Sequence, residues 1–384
     1  MTEKSKMYQS CIFTLLWVLG LFGGLPASAA RHCEIVVDKN IAMDRQANNT
    51  HPPQVTSLAA ALAIIRTRAC DSTRVQIAAG DYREKITLDV PNVTLAGANA
   101  ATTRIVFGLY AGVAGSFHPN GWGTPGSATV TVRADNIRLE NLTIGNDFDY
   151  LANDARENDD PEKIRHSQAV ALWLDQGSDW VRLHSVVLAG YQDTLFADSG
   201  RLWATESTIK GNVDFIFGGG QVLIEQSDII SRPRGKAFSS GDIQGHITAP
   251  STSIQQSYGL VLVDCRLIAE AGVASASVTL GRPWHPTRNF PDGRYADPDA
   301  IGHVLYFNTE MGDHIAAARW ASMRGTARDG TKSAVFTPAQ SRFREWQSRG
   351  PGAGNSLPTF VSEDQALARL QSIRKAHFQG WLGD

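Results

Sequence analysis

Two aspartates stand in matching company in the middle of the chain. Asp193 and Asp214 lie 21 residues apart, each three residues after a glycine (Gly190, Gly211) and each leading into an apolar run with an aromatic residue. Gln168 precedes Gln192 by 24 residues, nearly the same interval. Two carboxylates held close together cannot both ionise freely, so one keeps its charge while its neighbour holds a proton. Such a pair supplies a nucleophile and an acid. Side-chain amides beside it supply donors for an oxyanion. The set suits acyl transfer from an ester. Residue by residue, plainer roles compete: Asp193 as a turn residue, Asp214 as the cap of a bend, the two glutamines as a stacked polar ladder. A carboxylate pair at about 5 Å also serves a glycosidase.

Whether these side chains meet depends on the elements that carry them. Between residues 80 and 270 short apolar strands recur around a small or polar residue, as in "IRLENLTIGN", "VRLHSVVLAG", "LWATESTIKG", "VLIEQSDIIS" and "LVLVDCRLIA". Aligned on Gly97, Asn141, Ser185, Ser207, Ser227 and Cys265, the intervals are 44, 44, 22, 20 and 38, which fits a unit of 20–22 residues counted singly or doubly. Units of that size stack as solenoids. Strand-only units with polar turns predict a parallel β-helix; a β-sandwich is the competing architecture. In a β-helix, residues one turn apart lie above each other at about 4.8 Å. Asp193 would then stand over Asp214, and Gln168 over Gln192. Strand alternation puts Phe215 and Phe217 on one side, which makes core packing the plain role for Phe217. Trp284, in a Gly-Pro loop, is expected to be exposed.

The ends differ from the repeats, as caps of a solenoid should. Residues 57–70 read as an amphipathic helix behind the N-cap residue Ser57, and residues 362–378 as a helix with Ser362 and Gln365 at capping-box spacing. Residues 281–302, rich in Pro, Gly and Asp, read as long loops over the solenoid wall. No linker composition divides the chain.

At the N-terminus, Lys4 and Lys6 precede an apolar run, Cys11 to Leu25, and the small-residue site Ala27-Ser28-Ala29. This is the pattern of an export signal over residues 1–29, leaving residues 30–384 as one catalytic domain. The run is short for a membrane anchor and no second one follows, so no membrane attachment is expected after cleavage. The product is expected to be secreted, into the medium or the periplasm. Export permits disulfides. Of the remaining cysteines, Cys33 and Cys70 are the natural pair, and Cys265 is left as a buried thiol.

Other chemistries find no support. A formal net charge of −2 gives no sign of a nucleic-acid partner. The histidines and cysteines show neither HExxH nor CxxC, so no metal is expected. No GxSxG, Walker motif or strand-linked GxGxxG occurs, so neither a serine esterase nor a nucleotide cofactor is expected. The acidic "ENDDPE", residues 157–162, reads as a solvated loop.

The chain resembles the pectinesterases (pectin methylesterases) of the bacterial secreted type. The motifs that carry the likeness are "GDYRE" (80–84), "WGTPGSATV" (122–130), "QAVAL" (168–172), "GYQDTL" (190–195), "VDFIFG" (213–218) and "LGRPW" (280–284), in the family's order and across the mature chain. The resemblance implies a right-handed parallel β-helix with long surface loops and short end helices. It implies a monomer that removes methyl esters from galacturonate units of pectin, releasing methanol, without a cofactor. It implies Asp214 as nucleophile, Asp193 as acid and then base, Gln168 and Gln192 as oxyanion donors, and Arg282 as the residue that contacts and orients Asp214. Trp284 and Phe217 would stack on sugar rings, with Thr124, Val213, Phe196 and Met323 lining the groove. Two positions depart from the family. Phe196 stands where many relatives have tyrosine, keeping stacking and losing a hydroxyl. Ser207 and Ser227 stand where some bacterial relatives have a cysteine pair, which removes a disulfide expected next to the site.

Four alternatives remain open to this reading. A polygalacturonase would need a Gly-His-Gly motif and a pectate lyase a calcium-binding acidic cluster. A β-helix that only binds polysaccharide would keep the groove without turnover, and an esterase acting on another carbohydrate ester would keep the chemistry with a different groove.

Overall fold

The chain winds through three parallel sheets in a repeating order. Strand Val181–His184 lies in the first sheet, Val187–Ala189 in the second and Leu195–Ala197 in the third. The next turn follows with Arg201–Thr205, Thr208–Gly211 and Val213–Gly218. Among the described residues eleven strands build the first sheet, eight the second and seven the third, with successive turns pairing in parallel. This is a parallel β-helix. The computed structural model describes residues 30–41, 52–116, 123–354 and 362–381. The expected export signal, residues 1–29, lies outside the described residues, as does Trp122 of "WGTPGSATV".

The repeat arises because an inward position must meet another inward position one turn on. In the first sheet Ile35, Val75, Leu95, Leu139, Leu183, Ala204, Ile224, Leu262 and Tyr306 form one ladder. None of them is more than 1% exposed. Each fully buried aliphatic side chain contributes roughly 1.5–3 kcal/mol of transfer free energy. A one-residue slip would turn the ladder outward.

Between the first and second sheets the chain turns at a single residue in the left-handed conformation. Asn141, Ser185, Glu206, Gln226, Asp264, Asn308 and Gln347 all have φ between 49° and 53°. The column recognisable in the sequence was therefore misaligned by one residue in three of its repeats. Ser207, Ser227 and Cys265 occupy the next, inward position. Ser227 Oγ accepts from the Ser207 amide at 3.1 Å, and Ser207 Oγ accepts from the Val186 amide at 3.1 Å. In these three repeats a polar residue stands directly before the serine or cysteine, so spacing alone did not separate the two columns. Ser207 and Ser227 thus lie at the corner of the first two sheets, whereas the aspartates lie on the third.

One helix behaves as a cap and the other does not. Helix Leu58–Thr67 begins where Ser57 Oγ accepts from the Ala60 amide, and it buries Leu58, Leu62 and Ile65 against the end of the core. Helix Glu363–Phe378 begins at Ser362, whose side chain accepts from the Gln365 amide. Its Ala366, Leu370 and Ile373 pack on Leu223, Val261, Val263, Leu305 and Phe307, on the outer face of the first sheet. Those strands are apolar on both faces, which gives the helix an apolar wall to cover. Cys33 and Cys70 form the expected disulfide, and Cys265 is a buried free thiol. Within residues 281–302 the loop carries an antiparallel hairpin, Thr287–Phe290 with Gly293–Ala296. No helix among the described residues is long and apolar enough to cross a membrane.

Candidate active site

The site stands on the outer face of the third sheet, where two turns place their aspartates in register. Gln192 is bridged to Val213, and the Asp193 amide donates to the Val213 carbonyl at 3.1 Å, so Asp193 lies over Asp214. One turn back, the Ala169 amide donates to the Gln192 carbonyl at 3.2 Å, which sets Gln168 over Gln192. Both stacks expected from the intervals are formed.

The glycines three residues ahead make this possible. A Cβ at Gly190 would lie 2.6 Å from Thr194 Oγ1, and one at Gly211 would lie 2.2 Å from Phe215 Cβ. Each glycine is packed against the side chain four residues on, and a side chain of its own would block that packing. Both aspartates are left-handed, with φ of 67° at Asp193 and 51° at Asp214. Strand Val213–Gly218 also has a bulge against Gly245–Pro250: the register runs Val213 to His246, then Ile216 to Thr248. The extra residue re-aims Asp214 towards the groove. It also breaks alternation. Phe215 and Ile216 both enter the core, while Phe217 turns to the site, so Phe215 and Phe217 do not share a side.

Arg282 grips one aspartate only. Its Nε and Nη2 donate to the two Asp214 carboxylate oxygens at 2.8 and 2.7 Å. Asp193 receives neither bond. Burial, and then the charge on Asp214, push the Asp193 carboxyl well above the usual carboxylate range, with Arg282 opposing. Asp193 is therefore a buried acid beside a carboxylate fixed by a guanidinium. His246, also next to Arg282, is pushed down to about 4 by burial and by that cation, so it stands neutral.

A cavity of ≈ 500 Å³ opens over this pair. Its wall includes Gln168, Gln192, Asp193, Asp214 and Arg282, together with Thr124, Phe196, Phe217, Trp284 and Met323. Val213 does not line it; its contribution is the carbonyl beneath Asp193. Pro125 and Ala249 also line it, and sequence reasoning passed over both. Ala249 is legible only through register, because it faces Phe217 one turn on. Gln192 Oε1 accepts from Ser167 Oγ at 3.5 Å, while Gln168 Oε1 is buried without a partner among the described residues.

The aromatic wall is a ladder. Trp173, Phe196 and Phe217 are consecutive partners across three turns. Phe196 stacks on Phe217 with centroids 4.3 Å apart and on Trp173 at 6.2 Å. Both faces of Phe196 are taken, and Phe196 and Phe217 are each 4% exposed. Trp284 packs edge-on against both phenylalanines at 6.0 and 5.5 Å and is only half-buried.

Among the described residues no group of three or more His, Cys, Asp or Glu is placed to hold a metal ion. Residues 157–162 are mostly exposed, and Asp160 and Glu162 pair with Arg156.

A family model described as Pectinesterase matches residues 47–357. The chain belongs to the pectinesterase family. Pectinesterase A of Dickeya chrysanthemi is 43% identical over 278 residues, covering 72% of this chain and 75% of its own. The solved structure of a pectin methylesterase from Erwinia chrysanthemi matches with a TM-score of 0.81 at 35% identity, covering 93% of this chain and 99% of that one. A pectin methylesterase solved in complex with a hexasaccharide matches with a TM-score of 0.80 at 36% identity and the same coverage. This pectinesterase is a carboxylic ester hydrolase that releases methanol from the methyl esters of pectin.

Proposed function

We propose that this pectinesterase works through Asp214 as nucleophile and Asp193 as acid and base. The observation that carries the reading is the asymmetry of the stacked pair, with a guanidinium on Asp214 and a raised pKa on Asp193. Asp214 attacks the ester carbonyl carbon of a galacturonate methyl ester. The tetrahedral oxyanion accepts from the amide NH2 groups of Gln168 and Gln192, which replace water as donors. Collapse breaks the bond to the methoxy oxygen, which takes the Asp193 proton and leaves as methanol. The acyl group is then an anhydride with Asp214. Asp193, now a carboxylate, takes a proton from water as the oxygen attacks the carbonyl, and the second collapse frees Asp214 and the galacturonate carboxylate. Arg282 holds Asp214 in one rotamer throughout.

The polymer is proposed to lie across the third sheet with a sugar ring against Trp284. Phe196 and Phe217 support Trp284 and form the cavity floor, since their exposure leaves little face for a ring. The hexasaccharide complex of a related enzyme supports a groove for several sugar units. Export through residues 1–29, and action as a monomer, complete the reading. The Cys33–Cys70 disulfide supports export, because such bonds persist in oxidising compartments.

The deciding experiment is methanol release from highly methylated pectin with a chelator present, comparing residues 30–384 with Asp214→Ala. Release by the parent alone, with polymer viscosity unchanged, is expected. Release by a folded Asp214→Ala variant would overturn the nucleophile assignment.

A further inference from the structure

A second cavity, of ≈ 230 Å³, lies against the outer face of the first sheet and is lined by His303, Leu305, Arg342, Arg344 and Arg369. His303 pairs with Arg342 and Leu305 with Arg344 across neighbouring strands, and Arg369 comes from the C-terminal helix. Three guanidinium groups thus meet without an acid. Among the described residues no carboxylate pairs with any of them, whereas the nearby Arg319 and Arg374 hold Glu345 and Glu225.

The cations are held instead by carbonyl groups. Arg342 donates to Ile301, Gln256, Thr252 and Ser253, Arg369 to Ser257, and Arg344 only to Phe343. Burial and the nearby Arg369 lower the Arg342 pKa, and burial lowers that of Arg369. Burial and the three arginines push His303 down to about 3, so its ring is neutral. His303 is 5% exposed, and its Nδ1 is buried with no hydrogen-bond partner among the described residues. An anion in the cavity beside the His303 ring would balance the cations.

We infer that this cavity binds the carboxylate of a galacturonate unit, the group that the enzyme's own reaction leaves on the polymer. The inference rests on the polymer substrate proposed above. The planar guanidinium fork suits a carboxylate, and the volume admits one small anionic unit. The place also fits. Arg342 donates to the carbonyls of Thr252 and Ser253, and the Trp284 amide donates to the carbonyl of Pro250. Groove and cavity therefore flank one short connection between the third and first sheets. A methyl ester, carrying no charge, would not satisfy the site.

The test uses the full mature chain with Asp214→Ala to silence turnover, following the His303 ring by NMR, with His303→Gln to identify its signals. Galacturonate, its methyl ester and inorganic phosphate are titrated separately. Galacturonate is expected to shift the His303 signals saturably and the methyl ester to leave them unmoved. Arg369→Gln and Arg344→Gln should each weaken binding by about tenfold, the worth of one charge-assisted hydrogen bond. With Asp214 restored, Arg369→Gln should still release methanol, which reads the ester-hydrolysis assignment independently of the cavity. No saturable shift with galacturonate, an equal response to the methyl ester, or saturation by phosphate alone would overturn the inference. The primary titration leaves the cavity residues native, so a folding defect in a variant does not obscure it.

Discussion

Asp193 lies directly over Asp214 in the third sheet, yet Arg282 closes both of its hydrogen bonds on Asp214 alone. One strand spacing, about 4.8 Å, separates the backbones that carry two carboxyl groups of different character. The division of labour follows from that asymmetry. The buried group without a cation holds a proton, and the group with the guanidinium presents its oxygens.

Arg282→Lys should expose how much of this depends on the fork. A lysine keeps the charge but cannot make two parallel bonds. Loss of one charge-assisted bond, about 1.5–3 kcal/mol, predicts a fall in kcat of about 10- to 100-fold. Steady-state kinetics on methylated pectin would check it, with KM nearly unchanged because Arg282 acts through Asp214.

The raised pKa of Asp193 has two consequences with the same sign. In the proposed mechanism its protonated form is the methanol-releasing acid, so kcat should fall as pH rises through its folded-state pKa. The stabilisation from burying a neutral carboxyl is fully present below the unfolded value of about 4 and is lost as pH rises towards the folded one. Each pH unit in that window removes about 1.4 kcal/mol. Asp193→Asn does not titrate, so its melting temperature relative to the parent should climb with pH. A constant difference between pH 4 and pH 8 would contradict the assignment.

Phe217 and Trp284 should separate under mutation. Phe217→Ala opens the stacked ladder beneath the cavity and should cost about 3–5 kcal/mol in denaturant unfolding. Trp284→Ala removes a half-buried ring at the rim. It should cost about 1 kcal/mol in stability and appear chiefly as a raised KM for pectin.

The disulfide closes a 37-residue separation at the N-terminal end of the solenoid. Cys33→Ser with Cys70→Ser should lower stability by about 3–4 kcal/mol, measured by urea unfolding. Burial pushes the Cys265 thiol up to about 12, so it should resist thiol reagents until the chain unfolds.

The spacing of Asp193, Asp214, Gln168 and Gln192 was legible because a solenoid contacts only its neighbours, so sequence interval translates into height along the stack. The same logic exposed the repeat, and local capping chemistry exposed both helices through Ser57 and Ser362. It failed where an offset of one residue matters. The left-handed corner column runs through Glu206, Gln226 and Asp264 rather than the serines and cysteine beside them. The bulge after Val213 overrode alternation, because the extra residue is visible only in register against the partner strand Gly245–Pro250.

By itself, then, the sequence determined the stack: which turns follow one another, which residue types each turn carries, and that two carboxylates and two amides share one face. Only the tertiary structure decided the rest. It brought Arg282 back over 68 residues onto one aspartate of the pair. It laid the last helix on the wall of the first sheet instead of the end of the core. It gathered His303, Arg342, Arg344 and Arg369 around a cavity with no acid in its wall among the described residues. These contacts join distant segments through irregular loops and a packed helix, whose paths depend on the surfaces they meet. No repeat interval records those paths.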